Sequence, residues 1–377
     1  MGTQRRILAI ISYPFLPATT GGEISTLNIL NFMGKKMPLT VFTVEPYKPV
    51  DKNSFSFELI FGMPFKAWRY LNPFYLIAIH KLIKSKNCNT IFFDQPWMGW
   101  MIPILRFVFG KQVFIRSNNI EYLRFKSMNK SWWSVLYMYE KLAYLSANLV
   151  IFVSDIDQNK AIVEFGLSPD KTLLTPYGVP HNQLPEKVLN AREILLNRYR
   201  INADAKLFLF FATLSYKPNA EAVELICGPL LEQLRLRYGN FKILICGKNL
   251  DDEIQKQINT LPEVIYCGFV EDIETFIDGV DAMFNPIVSG GGIKTKAVDT
   301  LARGQRVIST RTGAEGIASD YCGNCLQIVE DFDWEGFADQ VVDSLNGAAP
   351  ELPNRFFERY SWPGIIQVLQ DKLAQLQ

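Results

Sequence analysis

Short, continuously apolar runs alternate with longer segments of helical spacing along most of this chain. In the first half the runs Arg6–Ser12, Leu39–Glu45, Thr90–Asp94, Gln112–Arg116, Leu149–Ser154 and Lys171–Thr175 predict strands buried on both faces. Between them the spacing predicts helices from about Glu23 to Lys36, Asn72 to Lys86, Ser131 to Ser146 and Ile156 to Phe165. The segment Pro46–Asn72 is rich in aromatics and follows neither period. The alternation then begins again. Strands are expected at Leu207–Ala212, Lys242–Cys246, Val264–Gly268, Ala282–Pro286 and Val307–Thr310, and helices at Ala220–Tyr238 and Ile273–Val280. The last residues, Trp362–Gln377, have the pattern of a terminal amphipathic helix.

Strands that alternate with helices predict an α/β fold, here two Rossmann-like, doubly wound domains. At 377 residues the chain has room for both. The turn cluster Pro176-Tyr-Gly-Val-Pro180 is the predicted linker, which gives domains 1–178 and 179–360 and a terminal helix 361–377. Ligands in such folds lie beyond the carboxyl ends of the strands, so the expected site is a cleft that the two domains face.

One connection carries more than turn chemistry. Ser289–Ile317 reads SGGGIKTKAVDTLARGQRVISTRTGAEGI. Gly290, Gly291 and Gly292 lead into a run of helical spacing, Lys294–Arg303, which stops at Gly304. Three successive glycines are entropically expensive to order, but they let backbone amides approach a ligand closely. The start of a helix favours an anion. Lys294 and Lys296 stand where a helix without a ligand would rather have acids, and this inverted preference points to phosphate.

Composition narrows the class. Hydrophobic residues make up 48% and charged residues 20%, which excludes wholesale disorder. The net charge of +1 hides an asymmetry: residues 1–150 hold 18 Lys and Arg against 7 Asp and Glu, and residues 151–377 hold 21 against 31. A basic, aromatic-rich first half fits peripheral contact with an anionic membrane or an acidic acceptor. Nothing in the pattern suggests nucleic acid. The apolar run Trp97–Phe109, broken by Pro103 and Arg106, falls short of the roughly 18 residues that would span a bilayer. Arg5-Arg6 precedes a first strand rather than a secretory signal. The six scattered cysteines, including the lone pair Cys322 and Cys325, have the pattern of buried thiols in a reducing compartment, so a cytoplasmic protein is expected. His80 and His181 are the only histidines, and neither has a neighbour in sequence that suggests catalysis.

Laid out in this way, the chain resembles the GT-B glycosyltransferases, in particular the family 4-like group (glycosyl transferases group 1). SYPFLPATTGGEISTLNIL resembles that group's N-terminal glycine loop and helix, and IRSNNIEYLR its R-x-H-N-x-E segment. TLSYKPNAEAVELI, FKILICGKN, VIYCGFVEDIETFI and the triple-glycine segment resemble successive landmarks of its donor domain. The resemblance implies an N-terminal acceptor domain, a C-terminal domain for a nucleoside diphosphate sugar, and a last helix that returns to the N-terminal domain. It further implies retention of anomeric configuration by front-face transfer, with no metal or other cofactor. The acceptor would be a glycan or lipid-linked saccharide of cell-surface polysaccharide or glycoconjugate synthesis.

By that resemblance Lys296, Lys217 and Asn118 are the catalytic candidates. Lys296 would contact the donor diphosphate, and Lys217 would neutralise it from the loop after the first donor-domain strand. Gly21, Gly22, Gly290, Gly291, Gly292, Lys294, Asp299 and Glu315 would bind the donor, with the Asp299 carboxylate on the ribose diol. Asn118 and Glu121 would face the acceptor. The chain departs from the family at Gly291, where an acid is frequent, and at Asn118, where histidine is frequent. An amide can hydrogen-bond a sugar but cannot shuttle a proton near neutral pH.

Other classes fit less well. A nicotinamide oxidoreductase would need GxGxxG after the first strand, where YPFLPATTGG stands instead. A GT-B sugar-nucleotide epimerase would need a dedicated acid–base set. A catalytically silent sugar-nucleotide or lipid-carrier binding protein is the reading that Gly291 and Asn118 would favour.

Overall fold

The structure is a computed structural model and describes residues 5–376. It divides into two compact units. The first runs through Pro180 and also takes the segment from Trp362 onward; the second is His181–Ser361.

The first unit is built on a parallel sheet of seven strands: β1 (Ile7–Ile11), β2 (Leu39–Val44), β3 (Glu58–Met63), β4 (Thr90–Asp94), β5 (Gln112–Ser117), β6 (Leu149–Phe152) and β7 (Thr172–Leu174). Their spatial order is β3-β2-β1-β4-β5-β6-β7, so the winding direction reverses between β1 and β4. Alternate residues of each central strand enter opposite cores. Leu8, Ile10, Ile91, Phe93 and Ile115 pack with Ile79, Met101, Leu105, Leu136 and Ala143 on one face. Ile7, Ala9, Ile11, Phe92 and Phe114 pack on the other with Ile29, Leu30 and Met33 of the Gly21–Lys36 helix. The terminal Trp362–Gln375 helix shares this second core through Trp362, Ile365, Ile366 and Leu369. At Gly178 a side chain is excluded, since a Cβ would lie 2.7 Å from the Trp362 ring.

The second unit repeats the plan with six parallel strands: β8 (Lys206–Thr213), β9 (Phe241–Lys248), β10 (Val264–Gly268), β11 (Ala282–Asn285), β12 (Val307–Thr310) and β13 (Leu326–Val329). The order β10-β9-β8-β11-β12-β13 reverses between β8 and β11. Both units are therefore α/β and doubly wound.

The structure adds elements that the pattern did not predict, among them β13 and the helices Ala191–Tyr199, Asp252–Ile258 and Trp334–Asn346, and departs from it in three further places. The aperiodic segment Pro46–Asn72 contains β3, an edge strand in which only Leu59 and Met63 of its six residues are buried. The single helix expected over Ala220–Tyr238 is two, Lys217–Leu225 and Leu231–Arg235, joined by a wider turn with a non-helical Gly228 (φ −110°, ψ −109°) ahead of Pro229. The helix of the glycine segment is only Thr295–Leu301, and Lys294 precedes it with extended backbone. Among the described residues, no helix is long and apolar enough to cross a membrane.

Candidate functional site

In an open α/β sheet a crevice forms where the strand order reverses, because the connections on either side lead away to opposite faces. In the second unit that point lies between β8 and β11. The loop after β8 holds Tyr216 and leads into the helix that starts at Lys217, and the loop after β11 holds the three glycines. Gly290 and Gly292 have φ of +79° and +81°, a region that side chains rarely adopt. A Cβ on Gly290 would lie 2.9 Å from Pro218 Cγ, so this glycine lets the two loops touch. Gly291 differs, for a Cβ there would meet nothing within 4 Å. Its lack of a side chain is not a packing requirement. Ser289 Oγ donates to Glu221, a second link between the loops.

Lys296 is the principal charge at this point. It is 8% exposed, and its ammonium donates to Asn219 Oδ1 at 3.0 Å and lies 4.2 Å from the Phe210 ring centroid. Asn219 is itself held by a bond from its Nδ2 to Thr213 O (2.9 Å). Among the described residues no carboxylate reaches ion-pair distance of Lys296. Burial, and to a lesser extent Lys294, push its pKa down to about 7. Such a group is stabilised by an anion.

Lys294 is placed differently. Its ammonium folds back to donate to Gly290 O (2.9 Å) and Gly292 O (2.8 Å), which fixes the glycine loop's shape. Burial lowers its pKa, and the nearby Glu315 and Asp331 oppose that shift. Since the Thr295–Leu301 helix has seven residues, its dipole is short. The attraction for an anion rests on Lys296 and the loop amides more than on the helix end that the sequence suggested. Asp299 is half-buried and stands three residues after Lys296, on the same face of the helix. Lys217 is exposed, with its ammonium 3.7 Å from Glu221 Oε1.

A third loop, after β12, closes on the other two. Asn285, at the end of β11, donates through Nδ2 to Ser309 Oγ (3.0 Å) and Gly313 O (2.8 Å). Gly313 has no room for a Cβ, which would lie 2.5 Å from Asn285 O. Gly316, beside Glu315, packs on Ile293 of the glycine loop. Lys296, Lys294, Asp299, Glu315, Lys217 and Gly290–Gly292 thus all belong to the carboxyl end of the second sheet. Among the described residues no group of three or more His, Cys, Asp or Glu gathers as a metal site.

The first unit's reversal point is filled by its own side chains. Asp94, at the end of β4, faces Arg116 of β5, with Oδ1 3.3 Å from Nη1. Asp94 Oδ2 accepts from Tyr13 OH and from Thr26 Oγ1 (2.8 Å), and Arg116 Nη2 donates to Ser25 Oγ (2.6 Å). Burial, then the Asp94 charge, push the Tyr13 hydroxyl well above its usual range. This network ties the first turns of the Gly21–Lys36 helix to the sheet. Gly21 and Gly22 lie in that first turn, not in a loop before it. The turn is closed by a capping box, with Glu23 Oε2 accepting from Thr20 N (2.9 Å) and Glu23 N donating to Thr20 Oγ1 (3.4 Å). Nothing lies within 4 Å of a Cβ built on Gly22, so that side of the turn is open.

Asn118 occupies the bend just after β5 and is half-buried. Glu121 is buried, and its carboxylate accepts from Arg124 Nε at 2.7 Å. Burial raises its pKa. Its backbone N–H and that of Tyr122 are held by Glu140 (2.9 and 2.7 Å). Burial pushes the Glu140 carboxyl up to about 8, against the pull of those N–H donors. Asp94, Arg116 and Glu140 do not stand out in the sequence, and Asn219 reads there as a helix-start residue rather than a ligand. A signal existed for the first two, as each is the one charged residue closing an otherwise apolar strand.

Residues 205–346 match the family model described as Glycosyl transferases group 1. No curated protein matches by sequence. Solved structures match over nearly the whole chain at low identity. A glycosyltransferase from Rickettsia africae has a TM-score of 0.75 at 14% identity, covering 99% of both chains. Anabaena Alr3699/HepE in complex with UDP has a TM-score of 0.75 at 15% identity, over 98% of this chain and 100% of that one. Sucrose-phosphate synthase from Thermosynechococcus elongatus has 0.73 at 16% identity, over 99% of both.

Proposed function

We propose that this chain, whose residues 205–346 match the group 1 glycosyl transferase model, is a glycosyltransferase whose donor is a nucleoside diphosphate sugar bound at the reversal point of the second sheet. The observation that carries the reading is Lys296, a buried cation whose partners are an amide oxygen and an aromatic ring. The HepE structures with UDP and with UDP-glucose lend support from the same fold.

In this reading Lys296 and the amides of Gly290–Gly292 hold the diphosphate, and Lys217 swings from Glu221 to meet its outer oxygens. Asp299 accepts from the ribose hydroxyls. Cleaving the sugar–phosphate bond builds charge on the leaving diphosphate, so these groups act more strongly on the transition state than on bound donor. No metal is required to neutralise that charge. Transfer proceeds on the front face with the departing phosphate taking the acceptor's proton, and retains the anomer. The first unit, with Asn118 and Glu121, receives the acceptor, a glycan or lipid-linked saccharide of cell-surface polysaccharide or glycoconjugate synthesis. The six free cysteines fit a cytoplasmic, reducing setting.

The first test is Lys296→Ala. It should weaken nucleoside diphosphate binding by about 1.5–3 kcal/mol, the worth of a charge-assisted hydrogen bond, and lower kcat as well. Unchanged binding and turnover would refute the assignment. Thermal shifts against UDP-, GDP- and ADP-sugars identify the base, assays in EDTA test metal independence, and NMR of the new linkage tests retention.

A further inference from the structure

The first unit carries an outward surface that neither the donor site nor the core uses. Along the Trp133–Ser146 helix, Leu136, Glu140, Ala143 and Tyr144 are buried. The opposite side is also apolar: Trp132, Val135, Met138, Leu142 and Leu145 are all exposed, and their spacing of three, three, four and three residues makes one stripe. A helix apolar on both sides has two apolar environments to satisfy.

Two neighbouring elements continue the stripe. The Phe74–Ser85 helix exposes Phe74 and Ile77, with Lys81 and Lys84 following on the same side, and the segment after Pro103 exposes Phe107 and Val108. These elements touch: the His80 ring lies 4.5 Å from that of Phe109, and Arg106 Nη1 donates to Ser146 O and Ala147 O (2.9 and 3.0 Å). All three cover the same face of the first sheet.

The charges around this surface have one sign. From Leu59 to Ser154 the chain holds 12 Lys and Arg and only three acids, Asp94, Glu121 and Glu140. All three acids are buried. Lys81, Lys84, Lys126 and Lys130 are exposed around the apolar stripe, and Lys126 sits 4.7 Å over the Trp133 ring. Two copies of such a face would set lysines against lysines, since the acids beside it, Glu58 and Glu164, already pair with Lys86 and Lys160. A sheet of negative charge over an apolar layer satisfies both features.

We propose that this face is a docking surface for an anionic lipid bilayer, with Val135, Met138, Leu142, Phe74 and Phe107 entering the interface and the lysines meeting the head groups. It does not depend on the donor assignment.

The test is flotation of the full chain with vesicles of phosphatidylcholine alone or mixed equally with phosphatidylglycerol. The protein should float with the mixed vesicles, remain behind with the neutral ones, and release as salt is raised. Val135, Met138 and Leu142 are 68%, 63% and 56% exposed, so Val135→Glu/Met138→Glu/Leu142→Glu should keep the melting temperature and abolish flotation. If that variant melts early, Lys81→Ala/Lys84→Ala is the test instead, expected to weaken binding about fivefold per lysine, equivalent to about 1 kcal/mol each. Val163→Glu, on another exposed helix, should change nothing. Three outcomes overturn the proposal: no flotation, equal flotation on neutral vesicles, or full flotation of the variants. A wild-type dimer that the triple variant dissolves, without lipid binding, would assign the face to self-association instead. Flotation needs no donor or turnover, so failure here leaves the transfer reading standing.

Discussion

The two units share a winding order, and each has a charged group at the point where the order reverses. In the first unit, Asp94 and Arg116 are both about 1% exposed, and each finds the other along with the hydroxyls of Tyr13, Thr26 and Ser25. In the second, Lys296 is nearly as buried, but among the described residues its ammonium meets only Asn219 and Phe210. A buried charge with its counter-charge present is part of the fold. One without it is a site, because the desolvation that the fold leaves uncompensated is recovered when an anion binds. The same topology thus serves as a strut in one unit and a binding point in the other.

The sharpest way to break this contrast is to remove a charge from the filled point. Asp94→Ala leaves the Arg116 guanidinium buried without its carboxylate and should destabilise the first unit by about 3–5 kcal/mol, as read from urea unfolding. A loss under about 1 kcal/mol would mean that the network is solvated and the comparison fails.

At the open point the opposite is expected. Lys296→Met removes a cation that burial disfavours, so the unliganded protein should be no less stable, while nucleoside diphosphate binding falls by about 1.5–3 kcal/mol. The pH dependence follows from the same lowered pKa. Between about 7 and the unfolded value of 10.5, the folded Lys296 is neutral and the unfolded one holds a proton. Its contribution to stability therefore rises with pH across that window and is at its lowest below 7. A bound diphosphate recharges Lys296, so binding above pH 7 should take up a proton and weaken by at most about tenfold per pH unit. Calorimetry in buffers of different ionisation enthalpy measures that uptake, and none should be seen in Lys296→Met.

How far the sequence foretold this contrast differs between fold and site. Strands such as Thr90–Asp94 and Val307–Thr310 were legible to the residue, because a strand buried on both faces has little need of charge, and the edge strand Val264–Gly268 was legible from its apolar run VIYCG. The edge strand Glu58–Met63 was not, since an edge has less to bury and shows no clean alternation. The triple glycine and Lys296 could be picked out by local pattern. What makes Lys296 distinctive is the company it keeps: Asn219 stands 77 positions earlier and Phe210 further still, and pairings over such distances leave no local trace. For the same reason Asp94 and Arg116 looked like strand ends rather than a pair. Lys294 sits beside Lys296 in sequence but serves the loop carbonyls, because the backbone turns before the helix begins.

That loop shape gives a smaller prediction. Gly290→Ala forces a side chain into a left-handed conformation and against Pro218, at a cost of about 1–2 kcal/mol. The loss should fall on donor affinity more than on melting temperature, because the strain can be relieved by moving the loop away from the Lys217–Asn219 turn. Gly291→Ala, in open space, should leave stability unchanged. Equal effects at the two positions would show that the loops do not need to touch.

The smallest effect on the unliganded protein, and the most discriminating between a site and a surface, is expected at Lys217. Its pair with Glu221 is exposed and four residues apart on one helix, worth about 0.3–0.5 kcal/mol, so Lys217→Ala should barely alter unfolding. An anion at Lys296 changes the balance. With the diphosphate present, Lys217 has a stronger partner than Glu221, and the variant should lose affinity for nucleoside diphosphate but not for the nucleoside alone. Glu221→Gln supplies the converse, since releasing Lys217 from its carboxylate should leave diphosphate affinity the same or better. If Lys217→Ala binds nucleoside diphosphate as wild type does, the second unit's open point is completed by Lys296 and the glycine amides alone, and the exposed lysine belongs to the surface.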